Sequence, residues 1–277
     1  PSRSVRLAKD SLVRKKLAVN VEKKPLRVAH RPKPLNLEIW KPTFGAALRN
    51  SWVILMPGLG GSQEHFRWLA RDLAQEGWPV VVLEHPGSDA KAIKALLDGR
   101  RSAPGADVLP DRLADLKGVL SARQQGNLEL SGKRLVLVGH SLGALTALLA
   151  SGAVPEAGLQ SRCEEALDDL SLTNLSKLLQ CQLINVRLPK IDEIEQLGGI
   201  VALNSFGSLL WPTKFSSVVR LPVLFAGGTL DLITPPISEQ LGLFLTTPAH
   251  PISRALLVEG ASHFSVIRLD GRSRKDR

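Results

Sequence analysis

The stretch Leu135-Val-Leu-Val-Gly-His-Ser-Leu-Gly143 decides the fold. Its four leading apolar residues, two of them β-branched, predict a strand buried on both faces. Gly139-His-Ser-Leu-Gly143 follows, a G-x-S-x-G. Ala144-Leu-Thr-Ala-Leu-Leu-Ala-Ser151 then predicts a short helix, closed by Gly152 just past its end. A bare G-x-S-x-G arises often by chance, but strand, sharp turn and helix together give it a mechanical meaning. The turn holds Ser141 clear of the sheet and presses positions 139 and 143 together, so both need a residue without a Cβ. The Ser141 hydroxyl then sits at a helix N-terminus beside the backbone N–H of Leu142. Negative charge developing on a carbonyl oxygen is favoured there.

At 277 residues and 44% apolar content, the chain can bury a sizeable core as one large α/β domain or two small ones. No window approaches 18 consecutive apolar residues, so no membrane-spanning helix is expected. The chain opens on Pro1 and has no segment of signal-peptide form near it; a signal removed upstream would be invisible. The expected location is cytoplasmic. Net charge is +10, and it is uneven. Residues 1–33 hold 11 Lys+Arg against 2 acids, and residues 266–277 hold 5 against 2, so the body between them is slightly acidic. Basic ends of this kind suit either peripheral contact with an anionic membrane or two solvated, partly disordered tails, and the second is favoured. No nucleic-acid-binding motif is present, so no nucleic-acid partner is expected. Cys163 and Cys181 lie in no C-x-x-C or Cys/His cluster, which argues against zinc. They are either one disulfide in an oxidising compartment or two buried thiols in the cytosol.

Outward from the central stretch, further strands are expected at Leu35–Trp40, Trp52–Met56, Pro79–Glu84, Gly199–Leu203, Leu221–Ala226 and Arg254–Val258. Helices are expected over Glu64–Gln75, capped by Ser62 or Gln63, and over Leu109–Gln125. Residues 90–108 are polar and glycine-bearing and are expected as a surface excursion. Residues 153–199 break the alternation. They carry both cysteines and the acids Glu164, Glu165, Asp168 and Asp169, and fit a helical lid insertion. The rhythm implies a mostly parallel central sheet flanked by helices on both faces. The expected organisation is a basic N-terminal segment over 1–33, a catalytic domain over 34–267 with its insertion at about 153–199, and a basic tail over 268–277.

A serine nucleophile needs a base, and the base an orienting acid. In open α/β sheets such residues sit at the carboxyl ends of strands. Leu221–Ala226 runs into Gly227-Gly-Thr-Leu-Asp231, and Arg254–Val258 into Glu259-Gly-Ala-Ser-His263. His85 also follows a strand but precedes a proline and suits a loop-fixing role; His140 points away from its neighbour Ser141. His30, His65 and His250 suit surface or packing roles. Asp192, Glu193 and Glu195 lie in the insertion, and Glu259 is too near His263 along the chain. The candidates are therefore Ser141, Asp231 and His263, in that order.

With these residues in place the chain resembles an α/β-hydrolase-fold serine esterase. It is most similar to the bacterial dienelactone-hydrolase-like and platelet-activating-factor-acetylhydrolase-like group. Pro57-Gly-Leu-Gly-Gly-Ser62, His85-Pro-Gly-Ser88, Gly139-His-Ser-Leu-Gly143, Gly228-Thr-Leu-Asp231 and Ser262-His263 carry the resemblance, which covers about residues 35–267. True dienelactone hydrolases carry a cysteine nucleophile where this chain has Ser141, which argues against dienelactone as substrate. The resemblance implies cleavage of carboxylic esters through an acyl-enzyme, with no cofactor and no metal. It also implies an oxyanion hole from the backbone N–H groups of Leu59 and Leu142. Leu59, Trp211 and Phe264 are candidates for an apolar substrate pocket. The substrate is a small-molecule or lipid ester, oligomeric state unspecified. One alternative is a lipase- or phospholipase-like acylhydrolase at a membrane surface; the other is a binding module with an idle triad.

Overall fold

The computed structural model describes residues 16–43, 49–168, 174–189, 192–213 and 220–268. The extreme basic ends, 1–15 and 269–277, and Asp169 of the acidic cluster lie outside the described residues. Eight strands form one sheet in the order β1-β2-β4-β3-β5-β6-β7-β8. They are β1 Val19–Leu26, β2 Leu35–Pro42, β3 Ser51–Met56, β4 Val80–Leu83, β5 Arg134–His140, β6 Leu197–Leu203, β7 Val223–Gly228 and β8 Arg254–Val258. β1 and β2 run antiparallel; β3 to β8 are mutually parallel. The inner strands of the parallel part, β3 to β7, are mainly apolar because both their faces are covered, whereas the edge strand β8 stays largely exposed.

Three helices pack on the sheet, α1 Gln63–Gln75, α3 Leu109–Gln124 and α4 Leu142–Ala150, while α2 Ala90–Leu97 buries only Ala92 and lies against the Gly60 loop through Ile93. Two buried clusters mark the two faces. One gathers Ile54, Leu113, Leu116, Leu137, Leu145 and Phe225; the other Val53, Leu55, Phe66, Ala70, Val80 and Val138. Alternate residues of β3 therefore serve opposite faces, as the period of two requires. Every residue of α4 is buried, so it is apolar all round rather than amphipathic.

Two expectations need correction. Residues 90–103 do lie at the surface, with only Ala92 buried, but the excursion contains a helix that was not expected: Asp89 accepts a hydrogen bond from the Ala92 N–H at 2.9 Å and starts α2. The run Ala-Lys-Ala-Ile-Lys-Ala-Leu-Leu is rich in strong helix formers, and that propensity outweighs the polar flanks. The basic N-terminal segment is not wholly a solvated tail either. Residues 19–26 pair along the whole of β2, and their side chains stay mostly exposed, which hides the strand from a hydropathy reading. His30 and Arg31 then dock on α3 through Asp115.

Between α4 and β6 the insertion folds into α5 Leu159–Asp168 and α6 Ser176–Gln182. A disulfide joins Cys163 to Cys181 across them, with Cα atoms 5.5 Å apart. Further along, Pro236–Leu241 winds as a π-helical turn into α7 Gly242–Thr246. Its Glu239, fully buried, accepts from Asn174 Nδ2, Ser176 Oγ and Ser208 Oγ and from the Gly207 and Ser208 N–H groups, at 2.7–3.2 Å. A buried carboxylate survives only when so satisfied. The insertion is thereby bolted to the body beside the loop that carries Asp231, where the Ser176 N–H also meets the Ile233 carbonyl. Among the described residues no helix is long and apolar enough to cross a membrane.

Candidate functional site

The loops at the carboxyl ends of the parallel strands carry the chemistry-bearing residues: 57–61 after β3, 85–89 after β4, Ser141 after β5, Asn204 after β6, Asp231 after β7 and His263 after β8. Ser141 is held at φ +53°, ψ −119°, a conformation costly for a residue with a Cβ. Its own N–H is fixed by the Leu203 carbonyl at 2.8 Å, and its carbonyl starts α4 through Ala144 and Leu145. The two flanking glycines are steric necessities. A Cβ on Gly139 would run into the Gly143 carbonyl, and one on Gly143 into the Met56 carbonyl. Packing thus over-determines the strained turn.

The structure brings Asp231 and His263 together. His263 Nδ1 stands 2.9 Å from Asp231 Oδ2, with both residues buried. Four further donors converge on that carboxylate. Oδ1 takes the Ile233 and Thr234 N–H groups at 2.9 and 2.8 Å; Oδ2 takes Asn204 Nδ2 at 2.7 Å and Thr234 Oγ1 at 2.6 Å. Burial works to raise the pKa of Asp231, but the bonds from His263 and Thr234 outweigh it and hold it down at about 2. An ionised carboxylate only accepts, so Nδ1 is the donor of this pair.

His140 supports the same histidine from below. Its Nε2 lies 2.9 Å from the His263 carbonyl, and the two rings are 4.9 Å apart. Burial, reinforced by the nearby His263, pushes the His140 pKa down to about 4, so it is a neutral donor to that carbonyl. The chain thereby links the residue preceding Ser141 directly to the backbone of His263. Gly58 closes the site from the β3 side, where a Cβ would come within 2.9 Å of the Ser141 Cβ. Leu59, partly buried, follows it, and Leu142 occupies the first turn of α4, where N–H groups have no intrahelical acceptor.

The three pocket candidates separate. Leu59 lies in this loop, and Phe264 is exposed with its ring edge-on to His263 at 5.2 Å. Trp211 is instead a core residue, 1% exposed, and its indole N–H donates to the Val154 carbonyl at 2.9 Å. A tryptophan of that volume fills the space beside Gly207 and cannot also line an open pocket. Sequence reasoning passed over Asn204 and Thr234. Asn204 sits at φ +46° at the end of β6, and such a backbone, tolerated best by Asn after glycine, was its one signal. Thr234, three residues past Asp231, is the common local pattern of a hydroxyl meeting a loop carboxylate.

A second polar cluster adjoins the site. Arg112 of α3 is 1% exposed and donates to the Pro57 carbonyl, Ser88 Oγ and Thr146 Oγ1. His85 Nδ1 meets Asp115 Oδ2 at 2.9 Å, fixing its loop as expected of a structural histidine. Among the described residues no group of His, Cys, Asp and Glu is arranged to hold a metal.

No curated protein matches the chain. A family model described as the alpha/beta hydrolase family matches residues 53–269, from the middle of β3 to just past His263. The match is to the family as a whole and does not single out the dienelactone-hydrolase-like or platelet-activating-factor-acetylhydrolase-like group. It spans most of the chain and all of the parallel sheet but the first two residues of β3, and the chain therefore belongs to the alpha/beta hydrolase family.

Proposed function

We propose that this hydrolase cleaves carboxylic esters through an acyl-enzyme on Ser141, with His263 as base and Asp231 as its orienting acid. The observation that carries the reading is the strained serine at a strand end, next in the chain to His140, which holds the backbone of His263, itself 2.9 Å from the buried Asp231. Ser141 Oγ attacks the ester carbonyl and its proton passes to His263 Nε2. The oxyanion is held by the Leu59 and Leu142 N–H groups. As the tetrahedral adduct collapses, the imidazolium returns the proton to the leaving alcohol. Water then attacks the acyl carbonyl with His263 again as base, and release of the acid restores Ser141. Asp231 contributes by stabilising the imidazolium and fixing the tautomer. No step calls for a metal or cofactor.

A lipid ester is the second reading. Leu230, Leu232, Ile237 and Phe264, all near Asp231 or His263 in the chain, are 58–66% exposed. An apolar rim of this kind suits a substrate presented at a surface. For location, we propose an oxidising compartment in place of the cytoplasm, because a structural disulfide persists there and not among cytosolic thiols. Alkylation of both cysteines in the unreduced protein, read by mass spectrometry, would sink that proposal.

The test of the main reading is Ser141→Ala assayed with a series of nitrophenyl esters. The variant is expected to fold and to lose turnover by about 10⁴-fold or more. A folded Ser141→Ala protein with near-normal turnover, or a wild type inert to every ester, overturns it.

A further inference from the structure

We propose that Arg112 is a positioning residue, one that sets the distance between the two backbone segments holding the oxyanion. This rests on the reading of Leu59 and Leu142 as the oxyanion donors. The Arg112 guanidinium reaches three separate pieces of chain. It donates to the Pro57 carbonyl at 2.6 Å, to Ser88 Oγ at 2.8 Å and to Thr146 Oγ1 at 3.0 Å. Pro57 lies two residues before Leu59. Thr146, on α4, passes its own hydroxyl hydrogen to the Leu142 carbonyl at 2.7 Å. One rigid planar group therefore touches the loop after β3 directly and the first turn of α4 through a single hydroxyl. The third contact closes the frame: Ser88 accepts at its carbonyl from the Gly60 N–H at 2.8 Å, so the loop is gripped on both sides of Leu59.

Such a seat is costly. Arg112 is wholly enclosed, and Asp115, one helical turn on in α3, is the anion whose charge acts on it. Burial pushes its pKa down, to about 9, and it is still a cation at neutral pH. Apolar residues of similar volume stabilise a core at least as well as buried charge, so stability alone does not explain a guanidinium here. A fork of fixed geometry with several donors is what a three-way spacer needs, and lysine does not supply it. Oxyanion donors must meet the developing charge to within a few tenths of an ångström, and neither Leu59 nor Leu142 has a side chain that can adjust its own backbone.

The experiment compares Arg112→Lys, Thr146→Val and Ser88→Ala with the wild type. It measures kcat, KM and the affinity of a trifluoromethyl ketone, whose hemiketal on serine mimics the oxyanion. Arg112→Lys is expected to lower kcat about 10- to 100-fold with KM within threefold, a fraction of what losing one donor outright costs. Ketone affinity should fall in step with kcat/KM, a pattern that mere loss of folded protein does not produce. Thr146→Val and Ser88→Ala, which disturb no charge, should follow in the same direction by a few-fold each, and they decide the matter if Arg112→Lys does not fold. Folded variants with kcat within twofold of the wild type, or with a KM rise alone, overturn the role of Arg112 and leave the serine-hydrolase reading standing. A wild type inert to esters and to the ketone overturns both.

Discussion

Among the described residues two buried aspartate–histidine pairs share the same 2.9 Å contact to Nδ1, and only one belongs to the candidate site. Asp231 and His263 occupy loops at the ends of β7 and β8. Asp115 sits within α3 and faces His85 at the end of β4. What separates them is the company the carboxylate keeps. Every other donor to Asp231 is a neutral dipole: Asn204, Thr234 and two backbone N–H groups. Asp115 also takes His30 at 2.7 Å and Arg31, which binds both its oxygens at 2.8 Å. Its charge is already answered by a cation. Burial, with the positive charge of Arg112, pushes His85 down to about 3 despite Asp115. Its second nitrogen is buried with no partner among the described residues. A carboxylate held by dipoles keeps its charge available to an imidazolium that forms and vanishes; one held by arginine does not.

The largest effect should come from removing the dipole-held charge. Asp231→Asn keeps the shape but leaves His263 without a charged partner and free to adopt the wrong tautomer. Turnover is expected to fall by about 10³- to 10⁴-fold while the fold survives. Ester kinetics with a circular-dichroism melt check this, and a loss under tenfold would erase the distinction between the pairs.

Asp115→Asn should do the reverse. Stripping the anion from a buried cluster that includes Arg31 is expected to cost about 3–5 kcal/mol of stability. Turnover per folded molecule should change less than tenfold. Urea unfolding and active-site titration separate the two quantities. A stable but inactive Asp115→Asn protein would mean that the second pair takes part in catalysis.

The sequence made one pair legible and hid the other, for a physical reason. Ser141, Asp231 and His263 each lie in the loop that follows a hydrophobic strand, and strand ends are local signals. Asp115 is an acid in a helix, and nothing local marks it as the meeting point of His85 with His30 and Arg31, 84 or more positions upstream for the last two. The same holds for β1. Its alternation is polar on both faces because it is an edge strand, so its partner β2 defines it, not its own hydropathy. The inner parallel strands β3 to β7 were legible because they are mostly buried on both faces, and the exposed edge strand β8 because its run Ala-Leu-Leu-Val is apolar all the same. Trp211 was misplaced because proximity to strand ends along the chain says nothing about which way a large ring turns. Asn204 acts at Asp231 from 27 positions away, a distance no motif spans.

The smallest effect concerns protons on two buried neutral histidines, His85 within the second pair and His140 beside the first. Burial lowers His85 to about 3 and His140 to about 4, against about 6.5 in an unfolded chain. Below pH 6.5 the unfolded state therefore binds protons that the folded state refuses. By linkage, stability is fully present above that pH and is lost as pH falls toward the folded values. One such histidine contributes a slope of up to about 1.4 kcal/mol per pH unit in that window. Glu84 works the other way, since burial raises its pKa and the folded state takes up its proton first. The absolute slope is thus a mixture, and the difference between two proteins is the clean quantity. In urea unfolding at pH 7, 6 and 5, His85→Asn should lose less stability on acidification than the wild type, with the gap widening at each step. Parallel curves would show that His85 accepts a proton within the fold. Asp115 would then be able to support a charged imidazole, and the contrast with Asp231 would rest on position alone.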